Sequence, residues 1–355
     1  MSPVLAPPKP AALRRPGISF KDLGSILHPT QHEFENQAVL NPACIEVDGI
    51  THMYYRAVRQ GNYSSIGYCQ LKGQEVVYRS AKPVLAPEHL YERHGLEDPR
   101  IAVCDGVYYL VYTAYDGKNA RIAYATSTDL VHWEKKGVIS PSMLYSEVAE
   151  LCKDHVHSRV FDFYRAHYHG APEHEDLLLY EKDALLFPRK VNGKFALVHR
   201  IFPEIQVIYF DDFQDLTVDF WVEHLKDLDR HTLLKPKLWF ENRHIGGGCP
   251  PIETEDGWLF VYHAVEQTAQ GRVYHAALAL LDLEDPTKEI ARLDYPLFSP
   301  TEEWELKGDV DNVVFPSGAV VEGDQLHIYY GAADRCIGAK TVGVKELLAA
   351  LRASS

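Results

Sequence analysis

The stretch Asp105–Ala114, "DGVYYLVYTA", shows a design that occurs five times along the 355 residues of the chain. It opens with an Asp-Gly pair, and such pairs tolerate positive φ and favour tight hairpin turns. The apolar, β-branched and aromatic residues that follow are typical of a buried strand. The four other copies are "DGITHMYYRA" from Asp48, "NGKFALVHRI" from Asn192, "DGWLFVYHAV" from Asp256 and "GDQLHIYYGA" from Gly323.

The spacing of the five copies indicates the size of each repeated unit. Successive turn glycines, at positions 49, 106, 193, 257 and 323, lie 57, 87, 64 and 66 residues apart. These spacings exceed the roughly 40–45 residues of a WD-type blade and leave room for four strands and functional loops. We therefore predict an all-β protein with one five-bladed β-propeller domain in residues 19–355, after a proline-rich segment in residues 1–18. A pair of β-sandwiches with similar hairpins is the alternative.

Two regions depart from this repeat. Residues 141–178 fill the widest interval and include "SEVAELCKDHVHSRVFDFYRAHYHG" from Ser146, whose apolar spacing predicts a helical insertion. This insertion could cover a site, form a contact in a homo-oligomer or simply pack on the surface. The C-terminal stretch "VKELLAALRASS" predicts a short amphipathic helix.

Composition and charge exclude several classes of function. The formal net charge of -14 gives no reason to expect a nucleic-acid partner, although a local basic cluster could still bind an anion. The six cysteines form no CxxC pair, which favours reduced thiols. No apolar run approaches a membrane span, and the N-terminal stretch lacks the apolar core of a signal peptide. We expect a cytoplasmic protein with no membrane partner.

Cofactor motifs are also missing from the sequence. No histidine–cysteine spacing fits a zinc site, and no GxSxG elbow indicates a serine hydrolase. The glycine-rich stretch "RHIGGGCPPI", from Arg243, allows its backbone to approach a ligand closely. It lacks the lysine and the strand-to-helix context of a nucleotide loop. We therefore expect no metal and no organic cofactor.

The residues at the ends of the repeats are candidates for a shared site. Equivalent positions in successive propeller blades face one another around the central channel. Arg56, Arg200 and His263 end their repeats, so we expect them to converge on one pocket. A single arginine after a strand is more often solvated or ion-paired, but three basic residues at equivalent positions favour a common role.

The stretch "GLEDPR", Gly95–Arg100, places two carboxylates and an arginine at a rigid corner. Pro99 fixes its own φ and disfavours helix at Asp98, so the Asp98 carboxylate would be presented with little freedom. Arg100 could pair with a carboxylate or with a phosphate. An Asp-Pro turn with an ordinary ion pair would give the same pattern.

A second charged cluster lies in "YEKDALLFPRK", Tyr180–Lys190. It places Glu181, Lys182 and Asp183 directly before an apolar strand. A solvated charged turn before a strand is the alternative interpretation.

Ten motifs, in this order, closely resemble glycoside hydrolase family 130: "NPACIEVDG", "YYRAV", "GLEDPRI", "YTAYDG", "KDALLFPRKVNGK", "GGGCPPI", "GWLFVYHAV", "ALLDLEDP", "NVVFPSG" and "IYYGAAD". They extend from about Asn41 to about Asp334. The resemblance implies a five-bladed propeller and an enzyme acting on β-mannosides. Many members are inverting phosphorylases that release α-mannose 1-phosphate, and a minority are hydrolases.

The resemblance also implies roles for individual residues. Asp98 would be the general acid, and inorganic phosphate would be the co-substrate that attacks the opposite face of the sugar. Phosphate brings its own negative charge, so the site needs cations rather than a base. The implied phosphate ligands are Arg56, Lys182 and His263. The implied contacts to the β-mannoside oligosaccharide are Asn41, Arg100, Asp183, Arg200, Tyr262 and Asp334.

Two departures from the family keep hydrolysis open as an alternative. Ser65 stands where many phosphorylases have an arginine, and a further arginine expected before Lys182 could be Arg159 or Arg165. The hydrolases use a glutamate base instead, for which the candidates are Glu150, Glu173, Glu175 and Glu181. The presence of Lys182 and His263 favours phosphorolysis. A glycan-binding propeller without catalysis is the third interpretation.

Overall fold

The structure, a computed structural model, describes residues 18–153 and 176–354. The predicted N-terminal segment, apart from its last residue, lies outside the described residues. So does most of the predicted insertion, including the candidates Arg159, Arg165, Glu173 and Glu175.

Strands dominate the described residues, which confirms the predicted all-β class. Four-stranded antiparallel sheets follow one another along the chain. The strands are β1 Lys21–Leu27, β2 Ala38–Val47, β3 Ile50–Arg59, β4 Tyr63–Lys72, β5 Glu75–Arg79, β6 Gly95–Cys104, β7 Val107–Tyr115, β8 Ala120–Ser127, β9 Glu134–Val138, β10 Lys182–Leu186, β11 Phe195–Arg200, β12 Ile205–Phe210, β13 Thr232–Leu234, β14 His244–Gly247, β15 Ile252–Thr254, β16 Gly257–Thr268, β17 Gly271–Leu281, β18 Glu289–Arg292, β19 Val314–Glu322, β20 Gln325–Ala332 and β21 Cys336–Gly343.

The strands pair into five groups, which we call the first to fifth sheets. The first is β2–β5, the second β6–β9 and the third β10–β13. The fourth contains β14, β16, β17 and β18, with β15 paired to β16. The fifth contains β19, β20 and β21 and is completed by β1 from the other end of the chain. A single parallel pair, Ser64 with Gly95, joins the first sheet to the second.

The five turn pairs lie where the sequence predicts, between the first two long strands of each sheet. Asp48, Asp105 and Asn192 have positive φ and are followed by glycines of positive φ. Two successive left-handed residues match the twist of a tight hairpin. The repeated motif therefore begins the second long strand of each sheet: β3, β7, β11, β16 and β20.

Apolar cores form between consecutive sheets. Separate buried clusters lie between the first and second sheets, the second and third, the third and fourth, the fourth and fifth, and the fifth and first. Strand contacts follow the same cycle, since β2 contacts both β6 and β19, β6 contacts β10, β10 contacts β14, and β16 and β17 of the fourth sheet contact β19. The contacts therefore close on themselves after five sheets.

The described residues also form four α-helices: α1 Tyr145–Cys152, α2 Val218–Lys226, α3 Glu303–Leu306 and α4 Val344–Arg352. Helix α4 confirms the predicted C-terminal helix and packs Leu347 and Leu351 into the core between the fourth and fifth sheets. Helix α1 confirms the start of the helical insertion and packs against α2. No helix among these is long and apolar enough to cross a membrane.

Candidate active site

The leading strands of the first three sheets share an unusual backbone feature. Asn41, Asp98 and Asp183 have φ of 48°, 51° and 58°. At each of them the pairing with the next strand shifts register. Asparagine and aspartate tolerate this left-handed conformation better than other side chains with a Cβ, and a bulge redirects the side chain that it carries. All three side chains consequently face one cavity.

This cavity, the candidate catalytic cavity, has a volume of about 450 Å³. It brings together eight of the ten predicted site residues: Asn41, Arg56, Asp98, Lys182, Asp183, Arg200, His263 and Asp334. Residues that the sequence did not single out complete its wall: Tyr180, Phe202, Arg243, His244, Arg272, Tyr274, Val310, Val313 and Phe315. The wall thus draws on all five sheets and the loops before them.

Asp98 is buried and held by residues of the first sheet. Asn41 Nδ2 donates a hydrogen bond of 2.8 Å to Asp98 Oδ1, and Arg56 Nη1 lies 3.5 Å from the same oxygen. Burial by itself would raise the pKa of Asp98, but Arg56, Lys182 and Arg100 outweigh it, and the pKa lies below the ordinary value. Near pH 7 the Asp98 carboxylate is therefore ionised.

Glu97 occupies the centre of the ion-pair network, and the sequence analysis did not assign it a role. Arg56 Nη2 lies 2.7 Å from Glu97 Oε1, and Lys182 Nζ lies 2.8 Å from Glu97 Oε2. Glu97 thereby links the first and third sheets through the second and raises the pKa of Lys182 against the opposing effect of burial. The adjacent acids in "EDP" were the available signal, but only the bulge lets neighbouring side chains reach the same network.

Asp183 links the third sheet to the fourth. Arg200 Nη1 lies 2.7 Å from Asp183 Oδ2, and His263 Nε2 lies 3.8 Å from the same oxygen. Burial lowers the pKa of His263 to about 4, although Asp183 opposes the shift. His263 is therefore neutral near pH 7 and offers a hydrogen bond rather than a positive charge.

Close packing behind His263 requires a glycine in the neighbouring strand. A Cβ on Gly246 would lie 2.3 Å from His263 Cε1 and 2.6 Å from Asp183 Oδ2. The glycine-rich stretch thus serves the site by admitting these two side chains.

Asp334, from the loop after β20, lines the same cavity as Asp98. Burial raises the pKa of Asp334 to about 6, and the charges of Asp98 and Asp309 act in the same direction, while Arg56 opposes them. A carboxyl group with such a pKa is shared between its protonated and ionised forms near neutral pH.

Two predicted site residues lie behind the cavity wall. Arg100 is 1% exposed and donates to carbonyl oxygens, at 2.5 Å to Gly248 and 3.0 Å to Pro99. It holds the Asp98 corner against the glycine-rich stretch and so positions the acid. The Tyr262 hydroxyl donates to Glu241 Oε1 at 2.5 Å, inside the fourth sheet. The structure therefore does not bring Arg100 or Tyr262 to the cavity surface.

The cavity combines a carboxylate held among cations with polar walls, as expected of an enzyme that binds a polar, partly anionic ligand. The chain belongs to glycoside hydrolase family 130: the family's sequence profile, described as beta-1,4-mannooligosaccharide phosphorylase, matches residues 13–353. No group of three or more histidine, cysteine or acidic residues in the described part of the chain is arranged to hold a metal ion.

Individual relatives match over nearly the full chain. A 1,2-beta-oligomannan phosphorylase of Thermoanaerobacter sp. (strain X514) is 35% identical over 92% of this chain and 97% of its own. A beta-1,2-mannobiose phosphorylase of the same organism is 36% identical over 89% of this chain and 94% of its own. Among solved structures, the beta-1,2-mannobiose phosphorylase of Listeria innocua matches with a TM-score of 0.69 at 24% identity, covering 93% of this chain and 97% of that one, which supports the fold.

Proposed function

We propose that this protein is a glycoside phosphorylase that cleaves β-mannosides with inorganic phosphate and releases α-mannose 1-phosphate. The observation that carries the proposal is the position of Asp98, which shares one cavity with Lys182, Arg200 and His263. A general acid and an anion site in one cavity are what phosphorolysis of a glycosidic bond requires. The family and its phosphorylase relatives support the same reaction.

The proposed architecture is a single five-bladed β-propeller. The cycle of contacts between five consecutive sheets, each pair with its own apolar core, supports it. Completion of the fifth sheet by β1 would close the ring with both ends of the chain.

Phosphate is proposed to lie against Lys182, Arg200 and His263, on the third and fourth sheets. Lys182 and Arg200 face each other as paired residues of β10 and β11. The neutral His263 imidazole adds a hydrogen bond. Arg56, which the sequence grouped with them, contacts Glu97 and Asp98, so we assign it to the positioning of the acid.

Phosphate binding would also prepare Asp98 for catalysis. The general acid must carry a proton, whereas the unliganded Asp98 is ionised because Arg56, Lys182 and Arg100 stabilise its charge. A phosphate anion beside Lys182 offsets that stabilisation and raises the pKa of Asp98. Attack by phosphate on the anomeric carbon, opposite the protonated leaving oxygen, would invert the configuration.

Hydrolysis is less well supported by the described residues. Glu181 is fully buried and bonded to His199, and Glu150 lies on α1 beside Lys153. Neither lines the catalytic cavity, and Glu97 is occupied by two cations. Ser65 is buried in β4 and also does not line the cavity.

The test is to incubate the purified protein with β-1,2-mannobiose and with β-1,4-mannobiose, each with and without phosphate. We expect mannose 1-phosphate only when phosphate is present, and a preference for the β-1,2 linkage that the relatives' names share. Free mannose formed at the same rate without phosphate would establish the hydrolase instead. Binding of either disaccharide without any turnover would establish the glycan-binding alternative.

A further inference from the structure

The proposed phosphate site contains a carboxylate as well as its cations. Asp183 lines the candidate catalytic cavity next to Lys182, its chain neighbour, and together with Arg200 and His263. Arg200 Nη1 lies 2.7 Å from Asp183 Oδ2, and His263 Nε2 lies 3.8 Å from the same oxygen. An anion that contacts both Arg200 and His263 therefore lies beside this carboxylate.

The Asp183 carboxylate has little freedom to turn away from a bound anion. The residue is 3% exposed and lies at the irregular start of β10 with a φ of 58°. Gly246, on the neighbouring fourth sheet, packs against it so closely that a Cβ there would lie 2.6 Å from Asp183 Oδ2. Two sheets thus fix the position of this acceptor, and the ligand has to accommodate it.

The other acidic residues around the cavity belong to other sheets. Three acids line the cavity in the described part of the chain: Asp98 comes from the second sheet, Asp334 from the loop after β20, and Asp183 from the third sheet. Glu97 gives one oxygen to Arg56 and the other to Lys182. Asp183 is therefore the acid that accompanies the phosphate cations of the third and fourth sheets.

Net charge does not choose between two anions at this position. The positive charge of Arg200 is offset by Asp183, and burial lowers the pKa of His263 to about 4, so the imidazole is neutral. Lys182 is paired with Glu97 in the same way. The pattern of hydrogen-bond donors and acceptors must therefore decide which anion binds.

A fixed carboxylate distinguishes tetrahedral anions by their protons. An ionised carboxylate is an acceptor only, so it repels an oxyanion without protons and forms no hydrogen bond with it. Inorganic phosphate retains at least one proton at neutral pH, and its P–OH group can donate to such an acceptor. Sulfate has nearly the same size and shape but carries no proton at this pH.

We propose that Asp183 accepts a hydrogen bond from the hydroxyl group of hydrogen phosphate and thereby selects phosphate over sulfate. The proposal rests on the phosphorylase function above. It also changes the role of Asp183, which the family resemblance placed among the mannoside contacts. A site built around such a hydrogen bond rejects an analogue that lacks the donor, because the buried acceptor then stays unpaired.

The test is calorimetric titration of phosphate and of sulfate into the wild type, Asp183→Asn and Glu97→Gln, at neutral pH and one ionic strength. Asparagine tolerates the positive φ of this position and keeps the shape of the side chain, but its amide group can donate to sulfate. Glu97→Gln is the matched control, because it removes one negative charge from the neighbouring ion pairs and leaves Asp183 in place.

We expect the wild type to bind sulfate at least about a hundredfold more weakly than phosphate, since sulfate offers no donor to the buried acceptor. In Asp183→Asn the difference between the two anions should shrink to less than about tenfold, because the repulsive carboxylate is gone. Glu97→Gln should change the binding of both anions alike and keep the wild-type difference.

The proposal is overturned if the wild type binds the two anions equally or binds neither. It is also overturned if Asp183→Asn keeps the wild-type difference, or if Glu97→Gln narrows that difference as far as Asp183→Asn does. The titrations contain no mannoside, so they are independent of turnover. If the wild type selects phosphate through Asp183 but forms no mannose 1-phosphate, the phosphorylase assignment fails and the role of Asp183 stands. Turnover without selectivity has the opposite meaning.

Discussion

Four of the five sheets are anchored by the same buried triad of side chains, and the third sheet is not. In each triad a tyrosine hydroxyl donates to a fully buried glutamate, which also pairs with a lysine or arginine. The triads are Tyr55–Glu35–Arg79, Tyr112–Glu92–Lys135, Tyr262–Glu241–Arg292 and Tyr330–Glu305–Lys340. The tyrosine-to-glutamate distances are 2.5–2.8 Å.

The third sheet keeps a buried glutamate, Glu181, but surrounds it with two histidines instead of a tyrosine and a cation. His199 takes the position of the tyrosine, directly before the repeat-ending Arg200, and its Nδ1 lies 3.1 Å from Glu181. Its Nε2 lies 2.9 Å from His224 Nε2, on helix α2. Burial lowers the pKa of His224, with His199 acting in the same direction, so a neutral imidazole stands where the other sheets have a cation.

The difference shows where the fold has been adapted to the site. Glu181 and His199 are the chain neighbours of Lys182 and Arg200, the two proposed phosphate cations of the third sheet. Support for these cations therefore includes a histidine on helix α2, whereas the glutamate of each triad pairs with a cation on a strand of its own sheet. We expect substitutions in the triads to affect stability and substitutions in the third sheet to affect phosphate binding as well.

The largest expected effect is on catalysis, and it comes from a substitution that leaves the triads intact. Asp98→Asn removes the general acid but preserves the hydrogen bond from Asn41 and the shape of the bulge. We expect kcat to fall about 10²–10⁴-fold, the usual contribution of a general acid. Steady-state phosphorolysis measures the loss. A fall in kcat of less than about tenfold would show that Asp98 is not the general acid.

The next effect is on stability, in the same sheet. Glu92→Ala leaves Lys135 without its 2.7 Å partner and removes the acceptor of Tyr112. An unpaired buried charge costs about 3–5 kcal/mol, so urea unfolding should show a loss of that size. The control is Glu88→Ala, whose exposed carboxylate lies 3.7 Å from the same lysine and should cost less than about 1 kcal/mol. Equal losses from both variants would contradict the anchoring role of the triad.

A smaller effect should distinguish the third sheet. Glu181→Gln leaves no lysine or arginine without its partner, because the group bonded to Glu181 is His199, so unfolding should cost only about 1 kcal/mol. The KM for phosphate should rise by about fivefold, the equivalent of a similar free energy, because Lys182 is displaced. Glu92→Gln, in the second sheet, is the matched variant and should destabilise more while changing the phosphate KM less. Equal changes in unfolding free energy and in the KM for phosphate in the two variants would contradict the difference between the third sheet and the second.

The last expected effect is a gain rather than a loss of stability, at Asp334. Its raised pKa of about 6 means that folding favours the protonated form, so the unfavourable contribution of the carboxylate develops as the pH rises from about 4, the ordinary value, to about 6, and is fully present above that. Asp334→Asn removes that contribution and should add about 2 kcal/mol to the unfolding free energy at pH 7.5, with little gain at pH 4. Denaturation at both pH values measures it. A gain that is the same at both would exclude titration of Asp334 as its cause.

Much of the molecule was predictable because the signals are local. Asp-Gly and Asn-Gly pairs specify hairpins by the φ values that they tolerate, so the repeat could be read at Asp48, Asp105 and Asn192. Equivalent positions in a repeat share an environment, and the structure does bring Arg56, Arg200 and His263 to one cavity. The helices at both α1 and α4 followed from apolar spacing.

The remaining features depend on residues far apart in the chain. Glu35, Glu92, Glu241 and Glu305 look like surface glutamates in sequence, because their partners are 20–51 residues away. Tyr262 and Arg100 matched the family's motifs, but their side chains turn into the protein rather than the cavity.

The sequence by itself determined the strands, their turns, the fivefold repeat and the residue types at the ends of the repeats, because each depends on backbone preferences over a few residues. Only the tertiary structure decided that Glu97 holds Arg56 and Lys182, that Asn41, Asp98 and Asp183 face one cavity, and that the third sheet relies on His224. Charge pairing and cavity shape arise between sheets, where position depends on the packing of the whole chain.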